Sequence, residues 1–233
     1  MKIIVTTSDD YLHIVPIFCY LFNKYWDDQQ KVEIVCYDGI KDFIENSKNK
    51  SSYKIPDNFN FVSMGQQSKD AGNFTRDLRR YFAQQDEWFI WCMEDTFIKA
   101  KVDHQQLKYL YSLTKHENVG RINLTNEGSK QLHQAYCIVE DLRIVVNTQT
   151  ALYRLSTQPS IWNRNYLLKY MQNDIGPWEF ETQQAFNDGY RILGPELCVV
   201  KHNEGVRKFD LFKYNFDGIE QEVINEMKAL NII

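Results

Sequence analysis

The stretch Trp88-Phe89-Ile90-Trp91-Cys92-Met93-Glu94-Asp95-Thr96 constrains this chain more than any other, because an apolar run that fits a fully buried strand ends abruptly in two adjacent carboxylates. Successive strand side chains point to opposite faces. Glu94 and Asp95 at the end of a central strand would therefore repel unless a cation or hydrogen-bond donors neutralised them. Hard divalent cations take carboxylate oxygens and leave positions open for phosphate. The segment reads either as one side of a metal diphosphate site or as a strand followed by a solvated acidic turn.

A chain of 233 residues is long enough for one large α/β domain or two small ones. No composition break or Pro/Gly/Ser-rich linker favours two, and no internal repeat is visible. The polar cluster from Glu45 to Asn60 reads as a surface excursion within one domain. The net charge of -4 argues against a molecule whose whole surface grips nucleic acid or an anionic membrane. Locally, Lys201, His202, Arg207, Lys208 and Lys213 mix with Phe209, Phe212 and Tyr214. Cys19, Cys36, Cys92, Cys137 and Cys198 are scattered and odd in number, which suggests neither a disulfide framework nor a zinc spacing and fits a reducing compartment. The opening run Met1-Lys2-Ile3-Ile4-Val5 is too short for a signal peptide or a membrane span, so a soluble cytoplasmic protein is expected.

Strand, helix and strand alternate in the first half. Ile3-Ile4-Val5 predicts a buried strand, followed by a helix to Tyr25 that Ser8-Asp9-Asp10 would cap and Pro16 would kink or interrupt. Val32 to Tyr37 predicts a second strand ending at the turn Asp38-Gly39, and Phe61 to Met64 a short third. Asn73 to Gln84 predicts a helix with Phe74, Leu78, Tyr81 and Phe82 on one face and Arg76, Arg79 and Arg80 on the other. Asp103 begins a capping box before another helix, and Val119 to Leu124 is a strand. This alternation implies parallel strands joined by crossover helices.

Farther on, Leu142 to Asn147 and Ala151 to Leu155 predict a hairpin, and Asn163 to Met171 a helix. A further helix should open at Pro177 and reach about Asp188 before Gly189. Val199-Val200 should close a late strand, and a terminal helix should lie between Gly218 and Ile233.

Phe74 to Phe82 followed by Trp88 to Thr96, then Gln158-Pro159-Ser160-Ile161-Trp162-Asn163 with Leu167-Leu168, then Pro177-Trp178-Glu179-Phe180-Glu181, together resemble the GT-A type glycosyltransferases. These nucleotide-sugar-dependent enzymes have one Rossmann-like half, and the chain is similar to compact phage and bacterial members. It runs in order over about residues 2 to 210. The resemblance implies an α/β, GT-A-like single domain. A nucleotide-sugar-binding half with a mostly parallel central sheet would cover residues 1–100, a mixed acceptor-side half 101–215, and a C-terminal helix 216–233. One departure stands out, since the pattern prefers a second Asp at the position of Thr96.

The resemblance also assigns roles. Glu94, Asp95 and His202 would hold Mn²⁺ or Mg²⁺ on the donor, a nucleotide diphosphate sugar with UDP the commonest nucleotide in the family. Thr6, Ser8, Asp10, Tyr11 and Asp38 would meet base and ribose, and Arg76 and Arg80, one helical turn apart, the diphosphate. Each has a plainer reading: Ser8 and Asp10 as helix caps, the arginines as a solvated helix face, His202 as a surface residue. An inverting transferase needs a carboxylate to take the acceptor's proton, a role that falls to Glu179 with Glu181 as substitute. Acidic residues in a first helical turn are equally explained by stability. Trp178 would serve as a platform for a sugar ring, and Trp162 belongs to the core. The acceptor would be a cell-surface glycan precursor or a modified base of phage DNA. A non-catalytic nucleotide-sugar or nucleic-acid binding module is the alternative that Thr96 keeps open.

Overall fold

The computed structural model describes residues 1–47, 53–70, 73–207 and 210–233. The first half runs β1 (Ile3–Thr6), a 3-10 helix (Asp9–Ile14), α1 (Val15–Tyr25), β2 (Val32–Cys36), α2 (Gly39–Ser47), β3 (Phe59–Ser63), α3 (Asn73–Phe82), β4 (Trp88–Met93), β5 (Thr96–Ile98) and α4 (His104–Ser112). The second runs β6 (Val119–Asn123), α5 (Glu127–Lys130), β7 (His133–Val139), β8 (Leu142–Asn147), β9 (Ser160–Asn163), α6 (Arg164–Tyr170), α7 (Pro177–Thr182), β10 (Arg191–Pro195), β11 (His202–Glu204), β12 (Val206–Arg207), β13 (Asp210–Tyr214) and α8 (Gln221–Ala229). Among the described residues no helix is long and apolar enough to cross a membrane.

The chain sorts into two compact units interleaved in sequence. The first, here the parallel-sheet unit, takes Ile3–Gln67, Cys92–Val102 and Lys201–Ile233. Its strands lie in the order β3-β2-β1, every pair parallel, with Ile3 opposite Val32 and Val32 opposite Phe59. The continuous apolar runs Ile3-Ile4-Val5 and Ile34-Val35 are those of strands covered on both faces, and they are fully buried. Helix α1 covers one face with Phe18 and Phe22, and Phe22 stacks on Trp26 with ring centroids 5.2 Å apart. Pro16 marks an interruption and not a kink: it sits in the first turn of α1, where its missing N–H costs nothing, and a separate 3-10 helix precedes it.

The second, the mixed-sheet unit, takes Met1–Lys2, Ser68–Trp91 and Asp103–Val200. Its strand order is β4-β9-β6-β10-β8-β7, in which β6 and β10 pair in parallel and the other neighbours antiparallel. The core is aromatic. Phe82 stacks on Phe89 at 5.1 Å, Trp91 meets Trp162 at 5.5 Å, and Trp162 is fully buried as expected. Asp103 caps α4 by accepting from the Gln105 and Gln106 amides.

The α/β architecture, with parallel strands in one unit and mixed strands in the other, matches the expectation, but three local readings are corrected. Leu142–Asn147 does pair in a hairpin, with His133–Val139 and not with Ala151–Leu155. Residues 151–155 form a turn in which Tyr153 adopts φ +51° and the buried Arg154 side chain pairs with Asp188. The helix opening at Pro177 stops at Thr182, and the Gln183 amide donates to the Tyr170 carbonyl. Val199 and Val200 are not in a strand; both amides donate to the Leu124 carbonyl.

Candidate functional site

The carboxyl ends of the parallel strands gather most of the residues singled out from sequence. Thr6 ends β1, and its carbonyl accepts from the Glu94 amide at 3.3 Å, so the β1 end and the acidic pair are tied by backbone. Ser8 occupies the position before the 3-10 helix, and no side-chain capping bond is made there. Asp10 is exposed in the first turn of that helix. Tyr11 follows. Burial raises its phenol pKa, and the charges of Glu94, Asp95 and Asp10 add to the shift. Asp38, after β2, is held by Lys41 at 3.0 Å and the Ser63 hydroxyl at 2.8 Å, and these donors lower its pKa.

Glu94 is only 3% exposed, and its Oε2 has no hydrogen-bond partner among the described residues. Burial pushes its pKa well above the usual carboxylate range, and the neighbouring Asp95 charge pushes it further; its own amide and the Thr7 hydroxyl pull weakly the other way. Asp95 is half-buried. A buried carboxyl with an unpaired oxygen beside a second carboxylate is a place where an arriving cation or hydrogen-bond donor gains a partner without displacing one.

His202 lies opposite Ile98 in the β5–β11 pair, and Glu204 lies opposite Thr96. Thr96 is buried within β5, so it is a strand residue here. Among the described residues no group of three or more His, Cys, Asp or Glu side chains is arranged to hold a metal, and Glu94, Asp95 and His202 do not form one. Mg²⁺ is commonly held by one or two carboxylates completed by substrate phosphates and water.

The remaining candidates belong to the mixed-sheet unit. Arg76 lies 3.5 Å from both Asp70 and Asp77, and Arg80 is exposed. Arg79 donates to the Met171 and Gln172 carbonyls and pairs with Asp174 at 3.4 Å, a tether within the unit. Glu179 accepts from the Gly176 amide at 3.0 Å, the capping interaction of its own helix. Glu181 Oε1 accepts from both the amide and the hydroxyl of Thr157 at 2.6 Å. Trp178 is 63% exposed.

Sequence reading gave Asp9 only a capping role and passed over Thr7 and Glu204. Asp9 has a buried Oδ1 without a partner among the described residues, and its backbone amide donates to Gln67 at 2.7 Å. Burial raises its pKa, partly offset by a hydrogen bond from the Gly39 amide. The backbone of Gly39 comes so close that a Cβ there would lie 2.6 Å from the Asp9 carboxylate. The Asp38-Gly39 dipeptide was the available signal for this close approach, and it reads equally well as an ordinary turn. In the basic and aromatic stretch from Lys201 to Tyr214, Lys208 and Phe209 lie outside the described residues. The same holds for residues 48–52 of the polar excursion.

Comparison with solved structures bears on the fold. TarS residues 1–349 of S. aureus in complex with UDP-GlcNAc aligns over 98% of this chain and 66% of that chain, with a TM-score of 0.50 and 14% sequence identity. This chain shares that protein's fold. An apo UDP-glucose pyrophosphorylase aligns over 98% and 99% of the two chains (TM-score 0.48, 12% identity). The inositol-1-phosphate CTP transferase from T. maritima aligns over 99% and 96% (TM-score 0.45, 13% identity). This chain spans less than two thirds of the TarS chains, 58% of one and 66% of another. No protein-family model and no curated protein matches the sequence.

Proposed function

We propose that this protein is a glycosyltransferase that takes a sugar from a nucleotide diphosphate sugar, UDP-linked, and passes it to an acceptor hydroxyl. The observation that carries this reading is the acidic end of β4, Glu94 and Asp95, tied by the Glu94 amide to the Thr6 carbonyl at the end of the parallel strand β1, ahead of the Ser8–Tyr11 segment. Open α/β sheets receive nucleotides at that edge. Tyr11 offers a stacking face for the base, and Asp38, ionised and oriented by Ser63 and Lys41, suits a ribose hydroxyl. Asp95 and Glu94 would hold Mn²⁺ or Mg²⁺, whose positive charge stabilises the leaving diphosphate. His202 is kept as a residue that meets the diphosphate from β11. The proton of the acceptor hydroxyl is assigned to Glu179 or Glu181, and Arg76 and Arg80 to diphosphate contact, on the strength of the family resemblance.

The test is UDP release from a panel of UDP-sugars, with and without Mn²⁺, on the wild type and Asp95→Ala. Turnover of at least one donor, reduced more than tenfold in Asp95→Ala, supports the reading. Tight UDP binding with no turnover on any glycan or hydroxymethylated-DNA acceptor would point to a non-catalytic module. Absence of nucleotide binding would remove the proposal, and pyrophosphate release from UTP with a sugar 1-phosphate would replace it with nucleotidyl transfer.

A further inference from the structure

Within the mixed-sheet unit a cavity of about 110 Å³ is lined by Leu152, Tyr153, Thr182, Gln183, Gln184 and Phe186. None of these side chains is charged. Two are amides, two carry hydroxyls and two are aromatic, so the lining combines flat apolar faces with neutral donors and acceptors. Gln183 spends its N–H₂ on the Tyr170 and Phe180 carbonyls, and the Thr182 hydroxyl donates to the Trp178 carbonyl. Each keeps acceptor capacity, while the exposed Gln184 amide offers both donor and acceptor.

The walls are held from beneath. Tyr153 adopts φ +51°, a left-handed conformation unfavourable for a bulky residue, yet the residue is 40% exposed and Leu152 beside it is 60% exposed. Burial of the ring does not account for that strain. The backbone is fixed instead by the fully buried Arg121, which donates to the Tyr153 carbonyl at 3.3 Å, and by the Ser156 amide at 3.1 Å. On the opposite wall the buried Arg154 donates to the carbonyl of Ala185, between Gln184 and Phe186, at 2.8 Å. Buried guanidinium groups thus present an aromatic residue and an amide pair in fixed positions at the surface, the kind of preorganisation that lowers the ordering cost of binding.

We infer that this cavity binds one uncharged sugar ring, its C–H face against Tyr153 and Phe186 and its hydroxyls on the Gln183 and Gln184 amides. A phosphorylated or anionic ligand would find no counter-charge in the lining, and a purely apolar one would strand the amides. The assignment of that ring to the acceptor rests on the glycosyl-transfer reading; the binding of the ring does not. Glu181, immediately before Thr182, belongs to the same segment.

The experiment is saturation-transfer NMR on the full chain with methyl glucoside, methyl galactoside and methyl N-acetylglucosaminide as probes, with glucose 1-phosphate as the charged comparison. UDP affinity is followed separately by calorimetry. Transfer to the ring protons of at least one glycoside is expected, with affinity falling at least fivefold in Tyr153→Ala and in Gln184→Ala and UDP affinity unchanged. Gln184 is exposed, so that variant keeps the test valid should Tyr153→Ala fail to fold. Glycoside binding that depends on Tyr153 without any UDP binding supports the cavity and removes only the transfer reading. The inference is overturned if no glycoside binds, if binding is equal in the wild type and both variants, or if glucose 1-phosphate binds more tightly than every glycoside.

Discussion

The guanidinium of Arg154 meets the carboxylate of Asp188 at 2.8 Å with both side chains inside the protein, 1% and 4% exposed. Tyr170 donates to the other Asp188 oxygen at 2.6 Å, and Arg154 reaches the carbonyls of Ala185, Thr148 and Tyr190 as well. Removing one member of such a pair leaves the other charged and unsolvated. Asp188→Ala should therefore destabilise the protein by about 3–5 kcal/mol. Replacing both members with apolar residues should recover part of that loss. Urea unfolding of the single and double variants checks this, and a loss below about 1 kcal/mol in the single variant would show that the pair is solvent-screened.

A Gly39→Ala substitution forces a methyl group to within 2.6 Å of the Asp9 carboxylate. Overpacking of this kind costs about 1–3 kcal/mol. Because the clash is with one side chain, Asp9→Ala in the same background should restore most of the stability. Thermal melts of the two single variants and the double variant measure the coupling.

The docking of α8 depends on pH through Glu226. Lys24 donates to its carboxylate and so does the Tyr20 hydroxyl, and these bonds lower its pKa below the ordinary glutamate value of 4.5. A carboxylate depressed in the folded state contributes stability that is present above the unfolded value and is lost as pH falls through the folded one. Amide exchange in α8, corrected for intrinsic rate, should therefore quicken as pH drops below about 4.5. Glu226→Gln should flatten that dependence. Equal acid sensitivity in the variant would place the effect elsewhere.

Tyr153→Gly removes a left-handed strain of about 1–2 kcal/mol and adds a chain-entropy penalty of about 0.5–1 kcal/mol. Because Arg121 and the Ser156 amide donate to the Tyr153 backbone carbonyl, which glycine retains, the variant should stay within about 1 kcal/mol of the wild type. Differential scanning calorimetry provides the check. A loss above about 2 kcal/mol would mean that the ring itself holds the fold together.

Local pattern in the chain was enough to specify the strands at Ile3–Thr6, Val32–Cys36 and Val119–Asn123, the amphipathic helix Asn73–Phe82, the Asp103 cap and the acidic end of β4, because each of these depends on side chains a few residues apart. It was not enough for β7, whose residues alternate without a buried face, or for β9, a short strand directly after Pro159. Tertiary structure alone turned Ala151–Leu155 away from a hairpin, since the decisive partner of Arg154 is 34 positions distant. It also set Glu204 opposite Thr96 and brought Gly39 against Asp9. Periodicity reports which face of a segment is apolar. Which distant charge or backbone meets that segment is decided by how the strands pair and what burial then requires of each polar group.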